Sequence, residues 1–237
     1  MTTVLVCTRD RATLLARCVD ALRRDMAADD QLVVVDAGDV PVPGKSRQLN
    51  AGLRMATSDV VVITDDDCLV PEGWLAAMAA AVTTDGVAAA FGPVRGLSTS
   101  AHAAPPRAVP PGPAPVATWE YAHGAAMAVR RDAVLAIGGF DESLGPGAPA
   151  HGEEHDLALR LQEAGHVVVV AAAPPVEHIG WRSPEEDAAN VLVYERGAGA
   201  VVGRAVRRAP RQQWRYAALR LRYQAQRFRT PRGRPLR

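Results

Sequence analysis

Three short apolar runs near the N-terminus constrain the fold more than any other feature of this sequence. They are TVLVC at 3–7, LVVV at 32–35 and VVVI at 60–63, all rich in β-branched residues and without polar alternation. Such runs are typical of parallel strands covered on both faces. The stretches between them carry apolar residues at helical three-to-four spacing. This alternation predicts a doubly wound α/β sheet.

Carboxylates directly follow two of the predicted strands. Asp36 follows the second, and Asp65, Asp66 and Asp67 follow the third. Ligands collect beyond the carboxyl ends of strands in such sheets. If the segment stays extended, Asp65 and Asp67 point the same way, about 6 to 7 Å apart, with Asp66 opposite. Such a pair suits Mn²⁺ or Mg²⁺, although a solvated acidic turn would also explain the motif.

The first predicted strand leads into TRDRAT, which contains no glycine-rich phosphate loop. If the protein binds a nucleotide, a metal held by Asp65 and Asp67 is expected to neutralise the phosphates instead. Asp36 is a candidate acceptor of hydrogen bonds from a base or ribose. The arginines available for phosphate oxygens or for stacking on a base are Arg9, Arg11 and Arg47.

A second acidic cluster opens a predicted helix in GEEHDLALRLQEAG, with Glu153, Glu154 and Asp156 in its first turn. The helix dipole favours acids there without any catalytic role. The leucines behind them fix the helix against a core, and a rigidly held carboxylate is also what a general base requires. Further along, VEHIGWRS offers His178 and Trp181, each of which is equally consistent with a core position.

Composition indicates a globular protein with one large domain, since the chain has 237 residues and is 48% hydrophobic. Three cysteines without a CxxC pair favour a reducing compartment, so we expect a cytoplasmic protein. No segment resembles a signal peptide or a membrane span. Residues 98–118 contain six prolines and predict a mobile surface loop, which either orders over a bound donor or is an ordinary insert.

The net charge of +1 conceals a strong asymmetry. Residues 201–237 carry twelve arginines and no acid, so the preceding residues are strongly negative. Trp214, Leu221 and Phe228 recur every seven residues, which predicts a basic amphipathic helix. It could pack on the acidic body, lie peripherally on an anionic membrane, or hold an anionic acceptor. Nucleic acid is not expected, because no nucleic-acid motif accompanies the arginines.

Five segments in this order resemble family 2 glycosyltransferases of the GT-A fold, over residues 1–200. They are VLVCTRDRATLLARCVDAL, VVVDAGD, GKSRQLNAGLRMATSDVVVITDDDCLVP, GGFDESLGPGAPAHGEEHDLALRLQEAG and VEHIGW. The resemblance implies a single Rossmann-like domain, with a mostly parallel central sheet flanked by helices. It divides the chain into a nucleotide-sugar-binding half (1–97), the proline-rich loop (98–118), an acceptor half (119–200) and an arginine-rich helical tail (201–237).

The resemblance also implies residue roles. Thr8, Arg9, Asp36 and Arg47 would contact the nucleotide. Asp65 and Asp67 of a DxD-type motif would share the ribose and the metal, with Asp66 contributing, and His178 would be a further metal ligand. Glu154 stands where the family usually has the aspartate that acts as general base, so Glu153 and Asp156 remain alternatives. Trp181, Glu153 and Asp156 are the candidate acceptor contacts.

The activity implied is that of a metal-dependent, inverting hexosyltransferase. Its donor would be a nucleoside-diphosphate sugar, with UDP expected. Its acceptor would be a hydroxyl on a small molecule, a glycan or a lipid-linked sugar. The alternatives are a retaining or nucleotidyl transferase on a similar fold, and a nucleotide-sugar-binding protein without turnover.

Overall fold

The structure is a computed structural model that describes residues 1–96, 112–113, 122–179, 183–208, 214 and 216–222. Its ten strands are β1 (Thr3–Thr8), β2 (Gln31–Asp36), β3 (Val60–Asp65), β4 (Cys68–Leu69), β5 (Val87–Phe91), β6 (Val94–Arg95), β7 (Gly112–Pro113), β8 (Met127–Arg130), β9 (Val167–Val170) and β10 (Val176–His178). Its six longer helices are α1 (Ala12–Asp25), α2 (Lys45–Met55), α3 (Trp74–Ala81), α4 (Arg131–Ala136), α5 (Glu153–Glu163) and α6 (Pro184–Arg208). A 3₁₀ turn covers Ala37–Asp39, and residues 216–222 are helical.

The central sheet has seven strands in the order β2-β1-β3-β8-β5-β9-β7. The three apolar runs form β1, β2 and β3, which pair in parallel as predicted. Strands β5 and β9 run in the same direction, whereas β8 and β7 run against them. The predicted mostly parallel α/β sheet is therefore confirmed. A second, three-stranded sheet in the order β4-β10-β6 was not predicted.

The sheet separates two apolar cores, because successive side chains of a strand point to opposite faces. On β1, Leu5 packs in one core, while Val4 and Val6 pack in the other. Helices α2 and α5 cover the first face, and α1 and α3 cover the second. Burial on both faces explains why these strands show no polar alternation.

The C-terminal segment packs on α5. Val201 and Ala205 of α6 form a third apolar cluster with Tyr216, Leu144 and Leu159. The domain boundary predicted at residue 200 therefore lies inside α6, which is continuous. In the described tail, Tyr216 is the buried aromatic residue.

The residues predicted to form the apolar face of the tail differ from Tyr216 in solvent exposure. Trp214 is 57% exposed and Leu221 is 68% exposed, and Phe228 lies outside the described residues. Among the helices that are described, none has the length and hydropathy needed to cross a bilayer.

Candidate functional site

Strand β3 ends at Asp65, and the chain turns at Asp66 and Asp67 before β4 begins. The predicted alternation of three extended aspartates is therefore wrong, because a period of two applies only within a strand. Asp65 pairs with Lys45, with 2.5 Å between Oδ1 and Nζ. Asp66 and Asp67 share the guanidinium of Arg11, whose Nη2 and Nη1 lie 2.8 Å and 3.0 Å from their carboxylate oxygens.

Thr8 and Asp66 meet in the interior, where the Thr8 hydroxyl donates to Asp66 Oδ2 at 2.6 Å. Burial raises the pKa of Asp66, although Thr8 and Arg11 oppose this shift. Gln48 donates to the backbone carbonyls of Thr8 and Val35, which ties together the ends of β1 and β2. The aspartate turn is therefore anchored to the rim of the sheet.

Lys45 was missed by the sequence analysis. Its backbone N–H donates to Pro146, and its ammonium is largely buried beside Asp65. Burial alone would lower the pKa of Lys45, but the charges of Asp65 and Glu153 outweigh it and hold that pKa well above its usual value. The sequence could have identified Lys45 as a candidate, because it is the single lysine in a chain that otherwise uses arginine.

Glu153 and Glu154 begin α5, directly after Gly152, whose φ of 103° is in the left-handed region. Burial, and then the charge of Glu154, raises the pKa of Glu153 to about 8. Burial also raises the pKa of Glu154, against the opposing charge of Lys45. Glu154 Oε2 is buried and has no hydrogen-bond partner among the described residues. The charge of Lys45 thus acts both on Asp65 at the end of β3 and on the carboxylates at the start of α5.

Asp156 lies elsewhere, although it is only two residues beyond Glu154. It is fully buried, and its two oxygens lie 2.6 Å from Arg160 Nε and 3.0 Å from Arg208 Nη1. Arg160 also donates to the carbonyls of Ile137 and Gly139. The structure therefore places Asp156 in an ion-pair network under α6 and does not bring it to Lys45.

His178 lies beside Asp67, with 3.4 Å between its Nε2 and Asp67 Oδ1. It is directly opposite Cys68 in the antiparallel pairing of β10 with β4. One potential ligand atom from each of Asp67, Cys68 and His178 lies within 4.8 Å of the other two. This set of oxygen, sulfur and nitrogen donors fits a divalent metal ion. Asp65 is not part of this group and pairs with Lys45 instead.

The remaining predicted donor contacts lie at the rim. Asp36 is exposed at the end of β2, and its Oδ1 accepts from the Gly38 N–H at 2.8 Å. Arg9 is exposed, with its Nε 3.6 Å from Asp10. Arg47 Nε lies 3.4 Å from Glu142. Trp181 lies outside the described residues.

Two further histidines were also missed. Burial lowers the pKa of His123 and of His155 to about 4, so both imidazoles are neutral at neutral pH. The Nε2 atom of each is buried and has no partner within the described part of the chain. The sequence could have identified His155 as a candidate, because it follows Glu154 directly.

Comparisons with known proteins agree with this architecture. Residues 40–107 match the model of Glycosyl transferase family 2. The mannosyltransferase PcManGT from Pyrobaculum calidifontis, solved with GDP-Man and Mn²⁺, superposes with a TM-score of 0.63 at 20% identity. The match covers 87% of this chain and 64% of that one. No curated protein sequence is significantly similar to the chain.

Two other solved structures share the fold. TarS 1-349 from S. aureus has a TM-score of 0.55 at 14% identity, covering 75% of this chain and 60% of that one. GalNAc-T7, solved with UDP, GalNAc and Mn²⁺, has a TM-score of 0.56 at 15% identity, covering 78% and 46%. This chain thus spans less than two thirds of each of these three structures. Residues 40–107 are thus similar to glycosyl transferase family 2, and the shared architecture shows that the chain has the GT-A fold.

Proposed function

We propose that this protein transfers a sugar from a nucleoside-diphosphate sugar to an acceptor hydroxyl, with inversion at the anomeric carbon. One observation carries the proposal. The largely buried ammonium of Lys45 pairs with Asp65 and also lies close enough to Glu154 for their charges to interact. The end of β3, where a donor is expected, and the start of α5, where a base is expected, therefore belong to one site. The family and the nucleotide-bound neighbours support this proposal.

The donor is assigned to the rim of the sheet. Asp36 at the end of β2 would accept hydrogen bonds from the nucleoside, and Thr8 would lie beneath it. The basic side chains assigned to the diphosphate are Arg9, Arg11 and Arg47. Arg11 contacts both carboxylates of the aspartate turn, Asp66 and Asp67.

Asp67 and His178 are the residues assigned to a divalent metal, Mn²⁺ or Mg²⁺. When bound, such an ion supplies positive charge that stabilises a departing diphosphate. Asp65 is assigned to the ribose side, because its own charge is already compensated by Lys45. Asp66 holds the turn through its bonds with Thr8 and Arg11.

Glu154 is assigned as the general base. Its raised pKa makes it a better proton acceptor than an ordinary glutamate. Glu153, with a pKa of about 8, is protonated at neutral pH and leaves Glu154 as the charged member of the pair. The acceptor oxygen forms its bond to the anomeric carbon while the bond to the diphosphate oxygen breaks. The proton passes to Glu154, and the bonding electrons leave with the diphosphate.

The first experiment incubates the protein with Mn²⁺ and a panel of UDP-, GDP- and dTDP-sugars, and measures the nucleoside diphosphate released. We expect release from one donor, with UDP preferred, and its loss in Asp67→Ala. Asp85→Ala removes an exposed carboxylate of the same kind and is the matched control. No release from any donor, together with no nucleotide binding by calorimetry, would rule the transferase out. Binding without release would instead indicate a nucleotide-sugar-binding protein.

Stereochemistry is tested once an acceptor is known. Proton NMR of the early product reports whether the new glycosidic bond has the anomeric configuration opposite to that of the donor. A product that retains the donor configuration would contradict the role assigned to Glu154, because a single displacement inverts the carbon.

A further inference from the structure

Cys68 lies beside the proposed metal site. It follows the three aspartates in the chain, its side chain is fully buried, and β-pairing places it directly opposite His178. We infer that Cys68 is a third ligand in the metal site with Asp67 and His178, so that this site favours thiophilic divalent ions such as Zn²⁺ and Co²⁺ over Mg²⁺. The inference rests on the proposed metal site and adds a selectivity that the proposed activity does not require.

Asp67 lies close to both other proposed ligands. Asp67 Oδ1 lies 3.4 Å from His178 Nε2 and 3.9 Å from Cys68 Sγ, and the three residues each offer a ligand atom within 4.8 Å of the other two. In a tetrahedral zinc site with ordinary bond lengths, neighbouring ligand atoms lie about 3.4 to 3.6 Å apart. Closing the present spacing around an ion therefore requires shifts of only tenths of an ångström for the pairs that involve Asp67.

The two oxygens of Asp67 face different partners. Oδ2 accepts from Arg11 at 3.0 Å, whereas Oδ1 lies toward His178 and Cys68. The backbone fixes this arrangement, because the Ile179 N–H donates to the Asp67 carbonyl at 2.8 Å, beside the pairing of β4 with β10. The turn and the two strands thus present the donor atoms on a rigid frame.

A buried cysteine near the aspartates does not necessarily have its sulfur beside a carboxylate and a histidine, as Cys68 does. Cys18 is equally buried, but its Sγ donates to the backbone carbonyl of Asp65 at 3.4 Å. In the described parts of the chain, Asp67, Cys68 and His178 form the one group of three residues with suitable side chains. Cys18 is therefore a matched control for the loss of a buried thiol.

The chemistry of the thiol determines the selectivity. When Cys68 binds the ion, its S–H bond breaks, the sulfur binds as a thiolate and the proton is released to solvent. Thiolate is a soft ligand that suits zinc and cobalt, whereas magnesium selects oxygen ligands. If Asp67, Cys68 and His178 held a tetrahedral ion, one position would remain for an oxygen of the donor diphosphate.

Titration of the full-length, metal-free protein with Co²⁺ tests this inference. We expect a near-ultraviolet thiolate-to-cobalt charge-transfer band that saturates at one equivalent, is abolished by Zn²⁺ and persists in excess Mg²⁺. Cys68→Ser should lose the band, and Cys18→Ser should keep it. Zinc affinity should fall in Cys68→Ser by more than the roughly 10- to 100-fold that follows loss of an outer-shell partner.

Wild-type protein alone also decides the question, in case Cys68→Ser does not fold. Zinc-edge X-ray absorption should show one sulfur at about 2.3 Å from the ion. Cobalt or zinc bound without sulfur contact would overturn the role of Cys68, as would a band unchanged in Cys68→Ser. In either case, persistent Mn²⁺-dependent nucleotide release would leave the proposed transferase intact. Absence of both metal binding and nucleotide release would contradict both proposals.

Discussion

Two groups of buried carboxylates, at the end of β3 and at the start of α5, differ in how their charges are compensated. At the end of β3, Lys45 pairs with Asp65, and Arg11 contacts both Asp66 and Asp67. On α5, Glu153 and Glu154 have raised pKa values. Burial also raises the pKa of Asp66, so the clearer difference is in direct partners: each aspartate contacts a basic side chain, whereas Glu154 Oε2 has no partner among the described residues.

Within α5 the contrast is sharper still. Asp156 has both oxygens in ion pairs with arginines, whereas Glu154 Oε2 is unpaired among the described residues. One turn of helix thus holds a structural acid and a candidate base. Position in an acidic motif does not distinguish them, but their partners do.

The largest effect is expected from Glu154→Gln, which removes the proposed base and keeps the shape of the side chain. Turnover should fall by roughly 10²- to 10⁴-fold. Donor affinity measured by calorimetry should change little, because Glu154 is not assigned to the donor. Glu72→Gln, which makes the same change at an exposed position, is the control. Turnover near the wild-type rate would show that the contrast between Glu154 and Asp156 has no catalytic meaning.

Next in size is Arg160→Met, which removes one partner of the buried Asp156 while keeping an apolar stem. Breaking a buried ion pair in this way costs about 3 to 5 kcal/mol. We expect the free energy of unfolding, measured by urea titration, to fall by that amount. Arg23→Met removes an exposed arginine on α1 and serves as the control. Equal stability of the two variants would mean that Asp156 does not depend on its arginine partners.

A pH effect is expected from Glu153, because its pKa of about 8 exceeds the ordinary value of 4.5. Between those values the folded protein keeps a proton that the unfolded chain has lost. This contribution therefore destabilises the fold as pH rises, by up to about 1.4 kcal/mol per pH unit. Glu153→Gln should lose it, so that the variant gains stability relative to wild type from pH 5 to 8.

Urea titrations at pH 5, 6, 7 and 8 measure this difference in the free energy of unfolding. Glu72→Gln should follow the wild-type curve at every pH. Parallel curves for Glu153→Gln and wild type would contradict the raised pKa of Glu153, and with it the division of charge between Glu153 and Glu154.

Substitutions in the tail are expected to change the free energy of unfolding least. Arg208 pairs with Asp156 and Glu163, so part of the tail charge already neutralises acids of the body. Trp214 and Leu221 are exposed, and we propose that they contact an anionic membrane surface. Leu221→Ser should change the free energy of unfolding by less than about 0.5 kcal/mol.

The membrane proposal is tested by flotation with anionic liposomes. The double variant Trp214→Ser, Leu221→Ser should float less than wild type, whereas Leu192→Ser on α6 is the control for loss of an exposed leucine. Equal flotation of all three proteins, or none, would discard membrane contact through this face.

Local pattern was sufficient to predict β1, β2, β3, α1, α2 and α5, because each depends on the spacing of its own apolar residues. The turn at Asp66 and the partners of the aspartates were not predictable in this way. Arg11 is more than fifty residues from Asp67, and Lys45 is twenty residues from Asp65. These contacts arise only when the strands pair.

The same reason explains why the grouping of Asp67, Cys68 and His178 was not predicted from the sequence. Cys68 and His178 are far apart in sequence and meet through the antiparallel pairing of β4 with β10, two strands too short for a periodic signal. Antiparallel β8 likewise lies between β3 and β5, two strands that come well before it in the sequence. Long-range pairing, rather than composition, determines these features.

The packing of α6 also matters for protein engineering. Gly197 of α6 presses on the backbone of His151, and a β-carbon at position 197 would collide with the His151 carbonyl oxygen. Any side chain there would displace the segment that leads into α5, two residues before Glu153. A library that seeks new acceptors should therefore keep position 197 constant. Substitutions there would lower turnover through the backbone, and a screen would mistake that loss for a change in substrate preference.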